Sequence, residues 1–272
     1  MSASLEQIVA ATRRRLSETR RYSNDRELQR LAQEHTPRGF RRALESNSAF
    51  RPAVIAELKK ASPSRGLIRA NFDPATLASE LETAGAAALS VLTDEDFFQG
   101  SLQNLSMASA ATGLPCLRKD FIVAESQIVE ARAHRADAVL LIVAVLSQQE
   151  LITLSQCARA MQLDVLCEVH DQEELQRALD AGFDIIGVNS RDLRTFQVDI
   201  NTALQLGEKI PKGVVGVAES GIHSGFDVAK LRAAGYGAFL IGESLMSAPS
   251  PGEALITLIK DAMTEIVAGV HP

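Results

Sequence analysis

The chain has 272 residues, 46% of them hydrophobic and 23% charged, a globular balance that excludes wholesale disorder and collagen-like repetition. A formal charge of −6 and a pI near 5.5 leave no electrostatic footprint for nucleic acid or an anionic membrane. Aromatic residues make up 4%, with no Trp, so Ala, Leu, Ile and Val must build a layered aliphatic core. Cys116, Cys157 and Cys167 form no C-x-x-C pair and sit among aliphatics, as reduced thiols do. No apolar run reaches the roughly 18 residues of a membrane span, and no signal-peptide core opens the chain. A soluble, cytoplasmic protein is expected.

The first 50 residues predict two helices, Leu5 to Arg21 and Asp25 to Glu45. Ten arginines and no Lys fall between Arg13 and Arg42, interleaved with Glu18, Asp25, Glu27 and Glu34, which reads as a solvated helical face. Short apolar runs then recur about every 26 residues: Ala53 to Ala56, Ala87 to Leu92, Pro115 to Leu117, Ala138 to Val143, Asp164 to Cys167, Asp184 to Val188, Gly213 to Val217 and Gly237 to Ile241. A helical pattern follows each. Asp73-Pro74 opens one helix and Gly85 closes it, while Gly182 and Gly235 end two others just before the next run. Several runs lack polar alternation, as parallel strands covered on both faces do.

Eight βα units predict an α/β fold, a closed (β/α)8 TIM barrel in a single domain over 1–272, with residues 1–50 as a helical extension packed on it. An open doubly wound sheet is the alternative, but no topological switch is evident.

In such a barrel chemistry gathers at the C-terminal strand ends. A charged residue after one strand is ordinarily a loop residue or a helix cap, yet polar groups follow seven of the eight runs here. The first ends in Glu57-Leu58-Lys59-Lys60, where Glu57 and Lys59 point the same way. Others end in Thr93-Asp94, Arg118-Lys119-Asp120, Glu168, Asn189-Ser190-Arg191-Asp192, Glu219-Ser220-Gly221 and Gly242-Glu243-Ser244. The last two carry a Gly at the loops where barrels of this kind hold phosphate on backbone N–H groups. Lys59, Lys60, Arg118, Lys119 and Arg191 make the mouth locally cationic within an acidic chain. The five histidines are scattered without metal-ligand spacing, and His170 and His223 read as loop residues rather than catalysts. No Gly-x-Ser-x-Gly elbow, P-loop or dinucleotide motif occurs. Acid–base chemistry on a phosphorylated small molecule, without metal or cofactor, is expected. A monomer is the default.

The segments Ile55 to Gly66, Ser90 to Ser101, Leu117 to Ile122, Glu168-Val169-His170, Gly187 to Leu193 and Ala218 to Ile222 resemble, in order, those of the indole-3-glycerol phosphate synthase family. The resemblance runs from about residue 5 to 263. It implies decarboxylating, dehydrating ring closure of 1-(2-carboxyphenylamino)-1-deoxyribulose 5-phosphate in tryptophan biosynthesis. It further implies Lys119 as the general acid of ring closure and Lys59 and Glu168 as acid and base of dehydration, in an order left open. Glu57 would orient Lys59, Asn189 would hold sugar hydroxyls, and Arg191 would lie near the substrate carboxylate, with Ser220 also at the substrate. Ser62, Gly221, Gly242 and Glu243 would take the phosphate. Phe98 and Phe121 would wall the anthranilate ring, Phe121 reading equally well as core. Glu243 departs from members with Ser there, so its N–H is expected to bind phosphate while its carboxylate turns away. Two other readings remain: a phosphate-binding barrel such as phosphoribosylanthranilate isomerase, whose 1,2-isomerisation would need a Cys or Asp pair at strand-end positions that are Lys and Glu here, and a non-catalytic barrel acting as a binding partner.

Overall fold

A computed structural model describes residues 4–19, 25–192 and 197–269. Eight parallel strands, each followed by helix, close into a barrel: β1 (Ala53–Leu58), β2 (Ala88–Leu92), β3 (Cys116–Lys119), β4 (Ala138–Ile142), β5 (Asp164–Val169), β6 (Ile185–Asn189), β7 (Val215–Glu219) and β8 (Ala238–Ile241). Every neighbour in sequence is a neighbour in the sheet, and β1 closes the ring by pairing with both β2 and β8. The TIM barrel read from the spacing of apolar runs is the observed architecture.

Side-chain alternation along the strands decides what the barrel encloses. Ile55, Leu117, Leu140, Ile142, Leu166, Ile185, Val217 and Leu240 form one buried cluster within the ring. Their neighbours of opposite parity, such as Val54, Ala56, Leu89, Val139 and Ile186, pack outward against the helices in a second cluster. Two residues beyond Ile55, Leu117, Leu166 and Val217, on the same inward parity, come Glu57, Lys119, Glu168 and Glu219. The apolar filling thus gives way to ionisable groups at the C-terminal end of the ring.

Before β1 run α1 (Leu5–Thr19), α2 (Asp25–Glu34) and α3 (Phe40–Ser48). The helix expected over Asp25 to Glu45 is therefore two helices. Pro37 disfavours helical geometry at the residue before it, and Gly39 takes φ +81°, so the chain turns between them. The expected end of the first helix at Arg21 lies outside the described residues. The turn has a buried anchor. Asp137 Oδ1 accepts from the Arg38 backbone N–H at 2.6 Å and lies 3.2 Å from His35 Nε2, while Oδ2 accepts from the Cys116 N–H at 2.7 Å and Arg38 Nη2 at 2.5 Å. Phe40 and Leu44 of α3, both fully buried, then plug the N-terminal end of the barrel.

Arg38 and Arg41 depart from the solvated face expected of this arginine-rich stretch. Arg41 donates to Asp184 at 2.8 Å and to the Gly213 carbonyl at 3.0 Å, joining α3 to the barrel floor. Arg30, more than half exposed between Glu27 and Glu34, fits the expectation. At the opposite end, α1 lies over the mouth, where Leu5 and Ile8 line the cavity between the strand ends. No helix among the described residues is long and apolar enough to cross a membrane.

Candidate active site

One cavity opens at the C-terminal strand ends, and all thirteen residues expected at the site line it. Its floor is built from Glu57 (β1), Lys119 (β3), Glu168 (β5), Asn189 (β6) and Glu219 (β7). Lys119 Nζ stands 3.6 Å from Glu168 Oε2, 3.7 Å from Glu219 Oε2 and 3.9 Å from Glu57 Oε2. Burial alone would lower the Lys119 pKa, but Glu168, Glu219 and Glu57 together raise it well above the ordinary lysine value. It is held as an ammonium.

Lys59 Nζ meets Glu57 Oε1 at 2.6 Å, the pairing that their two-residue spacing predicts. Burial pushes Glu57 up, while Lys59 and Lys119 pull its carboxyl below the usual value. For Glu168 burial is likewise outweighed, by Lys119, His170 and Asn189, and the carboxyl falls to about 2. Glu219 goes the other way. Burial and the adjacent Glu168 charge raise it well above its ordinary value of 4.5, so these two neighbouring carboxyls are driven in opposite directions.

Asn189 is fixed by its neighbours. Its Oδ1 accepts from Ser220 Oγ at 2.8 Å and from the Arg191 backbone N–H at 3.0 Å, and its Nδ2 donates to Glu168 Oε1 at 3.2 Å. Two donors on one atom and a carboxylate at the other leave a single sensible amide orientation. Close approach explains one glycine here: a Cβ on Gly242 would collide with the Glu57 carboxylate.

The two turns expected to hold phosphate lie side by side on the cavity wall. Ser220 and Gly221 have φ of +62° and +74°, a left-handed pair that is uncommon for Ser and marks a constrained turn. Across the mouth a hairpin of Ala61–Ser62 with Gly66–Leu67 presents Ser62, whose Oγ accepts from the Arg65 N–H at 3.3 Å. The Glu243 carboxylate does more than turn away: it pairs with Arg65 Nη2 at 2.8 Å and stands 3.9 Å from Arg191 Nη2. On the apolar wall, the Phe98 and Phe121 rings lie 6.3 Å apart at 39°, with Leu5 and Ile8 of α1 also on the cavity.

Two cations expected at the mouth are elsewhere. Arg118 precedes Lys119 and so has outward parity; it is buried behind β3, 2.9 Å from Asp120 and 3.3 Å from Glu130. Lys60 is absent from the cavity lining, and its carbonyl accepts from the Ile68 and Arg69 N–H groups to fold the hairpin.

A family model described as indole-3-glycerol phosphate synthase matches residues 5–258. The chain belongs to the indole-3-glycerol phosphate synthase family. It is 58% identical over 259 residues to the protein of that name from Koribacter versatilis, covering 95% of this chain and 100% of the relative. To the one from Acidithiobacillus ferrooxidans it is 49% identical over 263 residues, covering 96% and 100%. Among solved structures, a mandelate oxidase bound to (S)-2-phenylpropionate superposes with a TM-score of 0.62 at 18% identity, covering 80% of this chain and 73% of that one, a likeness of fold alone.

Three features of this synthase-family site carry little local signal in the sequence. Glu219 was visible only as a polar strand end, although its inward parity on β7 signals a floor position. His170 stands 3.4 Å from Glu168 Oε1, on the same parity two residues further on. Leu5 and Ile8 gave no signal, since nothing local in α1 says what it covers.

Proposed function

We propose that the chain is an indole-3-glycerol phosphate synthase, closing 1-(2-carboxyphenylamino)-1-deoxyribulose 5-phosphate to indole-3-glycerol phosphate with loss of CO2 and water. The observation that carries the residue assignments is the Lys119 ammonium among three carboxyl groups at the floor of a cavity with one apolar and one glycine-turn wall. The anthranilate ring packs against Phe98 and Phe121. The phosphate rests on the turns at Gly221 and Gly242–Glu243, with the Ser62 hydroxyl opposite, and Arg191 faces the carboxylate. Ser220 keeps Asn189 oriented toward the sugar hydroxyls.

In the first step the ring carbon bearing the carboxylate attacks the ketone, and Lys119 gives its proton to the oxygen as that carbon–carbon bond forms. Loss of CO2 leaves its bonding pair in the ring and restores aromaticity. In the second step the new hydroxyl departs as water with a proton from Lys59, which Glu57 orients. Glu168 removes a proton from the carbon beside nitrogen, and the ring double bond forms. Glu168 is cast as base because its carboxyl is ionised, whereas the ammonium of Lys59 has a proton to give. Across one turnover two protons are given and one taken, so the enzyme recovers one from solvent, matching the conversion of a carboxylate to CO2.

The test is incubation of the purified protein with the carboxyphenylamino-deoxyribulose phosphate while indole fluorescence is followed. Fluorescence is expected to rise with turnover, and its absence at high enzyme concentration would overturn the reading. Glu168→Gln should lower kcat by roughly two to four decades, the usual worth of a positioned base. A change confined to KM would make Glu168 a binding residue.

A further inference from the structure

The two oxygens of Glu168 are unequal. Oε1 accepts a hydrogen bond from Asn189 Nδ2, and His170 Nε2 stands 3.4 Å from it as an ion-pair partner that makes no hydrogen bond among the described residues. Oε2 meets no hydrogen-bond donor among the described residues and faces Lys119 across 3.6 Å. His170 is itself held from behind. Glu174 Oε2 accepts from both the His170 backbone N–H, at 2.8 Å, and Nδ1, at 3.0 Å.

Glu174 occupies the third position of α4 (Gln172–Asp180), whose N-cap Asp171 already accepts the Glu174 N–H at 2.9 Å. A Glu at this position ordinarily reaches back to the N-cap amide. Here it reaches one residue further and grips the histidine. The ring is therefore fixed by its backbone amide, by Nδ1 and by the carboxylate beyond Nε2, with only 14% of its side chain exposed.

From this geometry we propose that His170, clamped by Glu174, is a positioning residue whose ion pair holds Glu168 with Oε1 turned to Asn189 and Oε2 left as the oxygen that takes the substrate proton. The proposal deepens the reading above and rests on Glu168 being the base. The logic is that of a base oriented by a third group. The groups facing Glu168 are Lys119 from β3, Glu57 from β1, Glu219 from β7, Asn189 from β6 and His170 itself; those facing His170 are Glu168 and Glu174. Burial would lower the imidazole pKa, but the two carboxylates lift it to about 10, so the ring stays cationic at neutral pH.

The experiment measures kcat and KM for His170→Asn, Glu174→Gln and the double variant, beside Glu168→Gln, and records the His170 ring nitrogens by 15N NMR at pH 8. Glu174→Gln touches neither Glu168 nor substrate and keeps a carbonyl to accept both N–H groups. Each single variant should lower kcat roughly 10-fold, the equivalent of about one pKa unit of lost interaction, with KM within about two-fold. The double variant should be no worse than His170→Asn, because both act through one oxygen. The wild-type ring should show two protonated nitrogens at pH 8. Unchanged kcat in both single variants while Glu168→Gln is impaired would overturn the proposal alone, as would a neutral ring at pH 8. Normal kcat in Glu168→Gln would instead sink the assignment of the base. If His170→Asn fails to fold, Glu174→Gln and the NMR measurement decide.

Discussion

Replacing Lys119 separates two duties, the holding of carboxylates that the geometry shows and the giving of a proton that we propose. Its ammonium lies 3.6 to 3.9 Å from three carboxyl groups, of which Glu57 and Glu168 are ionised. At such distances each charge pair is worth about 4 kcal/mol at an effective dielectric near 20, so Lys119→Met removes a large attraction as well as an acid. The site answers by binding protons, since Glu57 and Glu168 lose the charge that kept them ionised. Their native-state pKa values rise in the variant, so the variant should be most stable below about pH 5 and lose stability relative to wild type as pH climbs. Lys119→Arg restores the charge but cannot donate, because a guanidinium does not deprotonate in proteins. Both variants should lose about 10²- to 10⁴-fold in kcat, the range for a positioned acid, while only the Met variant shows the pH-dependent stability loss. Indole fluorescence gives kcat and urea unfolding at pH 5 and pH 8 gives stability. Wild-type-like turnover in Lys119→Arg would refute the acid role and leave Lys119 as an electrostatic support.

Glu219→Gln tests the raised carboxyl pKa. Because the native pKa of Glu219 lies above 4.5, its stabilising contribution is complete below that value and is lost as pH rises through the native pKa. The advantage of wild type over the Gln variant should thus shrink by up to about 1.4 kcal/mol per pH unit in that window, and an advantage that grows with pH in urea unfolding would contradict the assignment. Glu243→Gln removes the carboxylate that shares Arg65 and Arg191, so inorganic phosphate, assayed as a competitive inhibitor, should bind about 5-fold tighter, the worth of one charge near 4 Å in water; weaker binding would show that the carboxylate instead props the site open. Asp137→Ala strands Arg38 and the Cys116 amide at the barrel floor and should cost about 3–5 kcal/mol, the toll of breaking a buried pair, read as a fall in unfolding midpoint; a loss under about 1 kcal/mol would mean the clasp is dispensable.

What was legible in the sequence is what repeats or lies close along the chain. Eight apolar runs at even spacing specify parallel strands between helices, and strand parity then sends Glu57, Lys59, Lys119 and Glu168 inward. The break between α2 and α3 had a local signal in Pro37 and Gly39, overridden by the charge pattern around it. Arg38 and Arg41 resembled their solvated neighbours because their partners Asp137 and Asp184 lie about a hundred residues or more away. A separation of 51 residues likewise hides the meaning of Glu219, whose raised pKa depends on Glu168 from another strand. His170 reads as an ordinary loop residue because isolated histidines after strands are common; only the turn of α4 back onto its ring makes it unusual. Arg118 shows the converse, a residue beside a site residue and of the wrong parity to join it.

The proton inventory of the cavity explains why so acidic a floor suits this chemistry. Ring closure and dehydration need two donors and one acceptor within one small volume. Three ionised carboxylates around Lys119 would make it a poor donor, since each one holds its proton more tightly. The upward shift of the Glu219 pKa weakens its share of that hold while keeping the group in place. Glu57 has its charge shared between Lys59 and Lys119, and Glu168 has Oε1 occupied by Asn189 and faced by His170. What remains unspent is an ammonium on Lys119, another on Lys59, and one carboxylate oxygen on Glu168. On the proposed mechanism, two donors and one acceptor are thereby left for the substrate, the number that reaction uses.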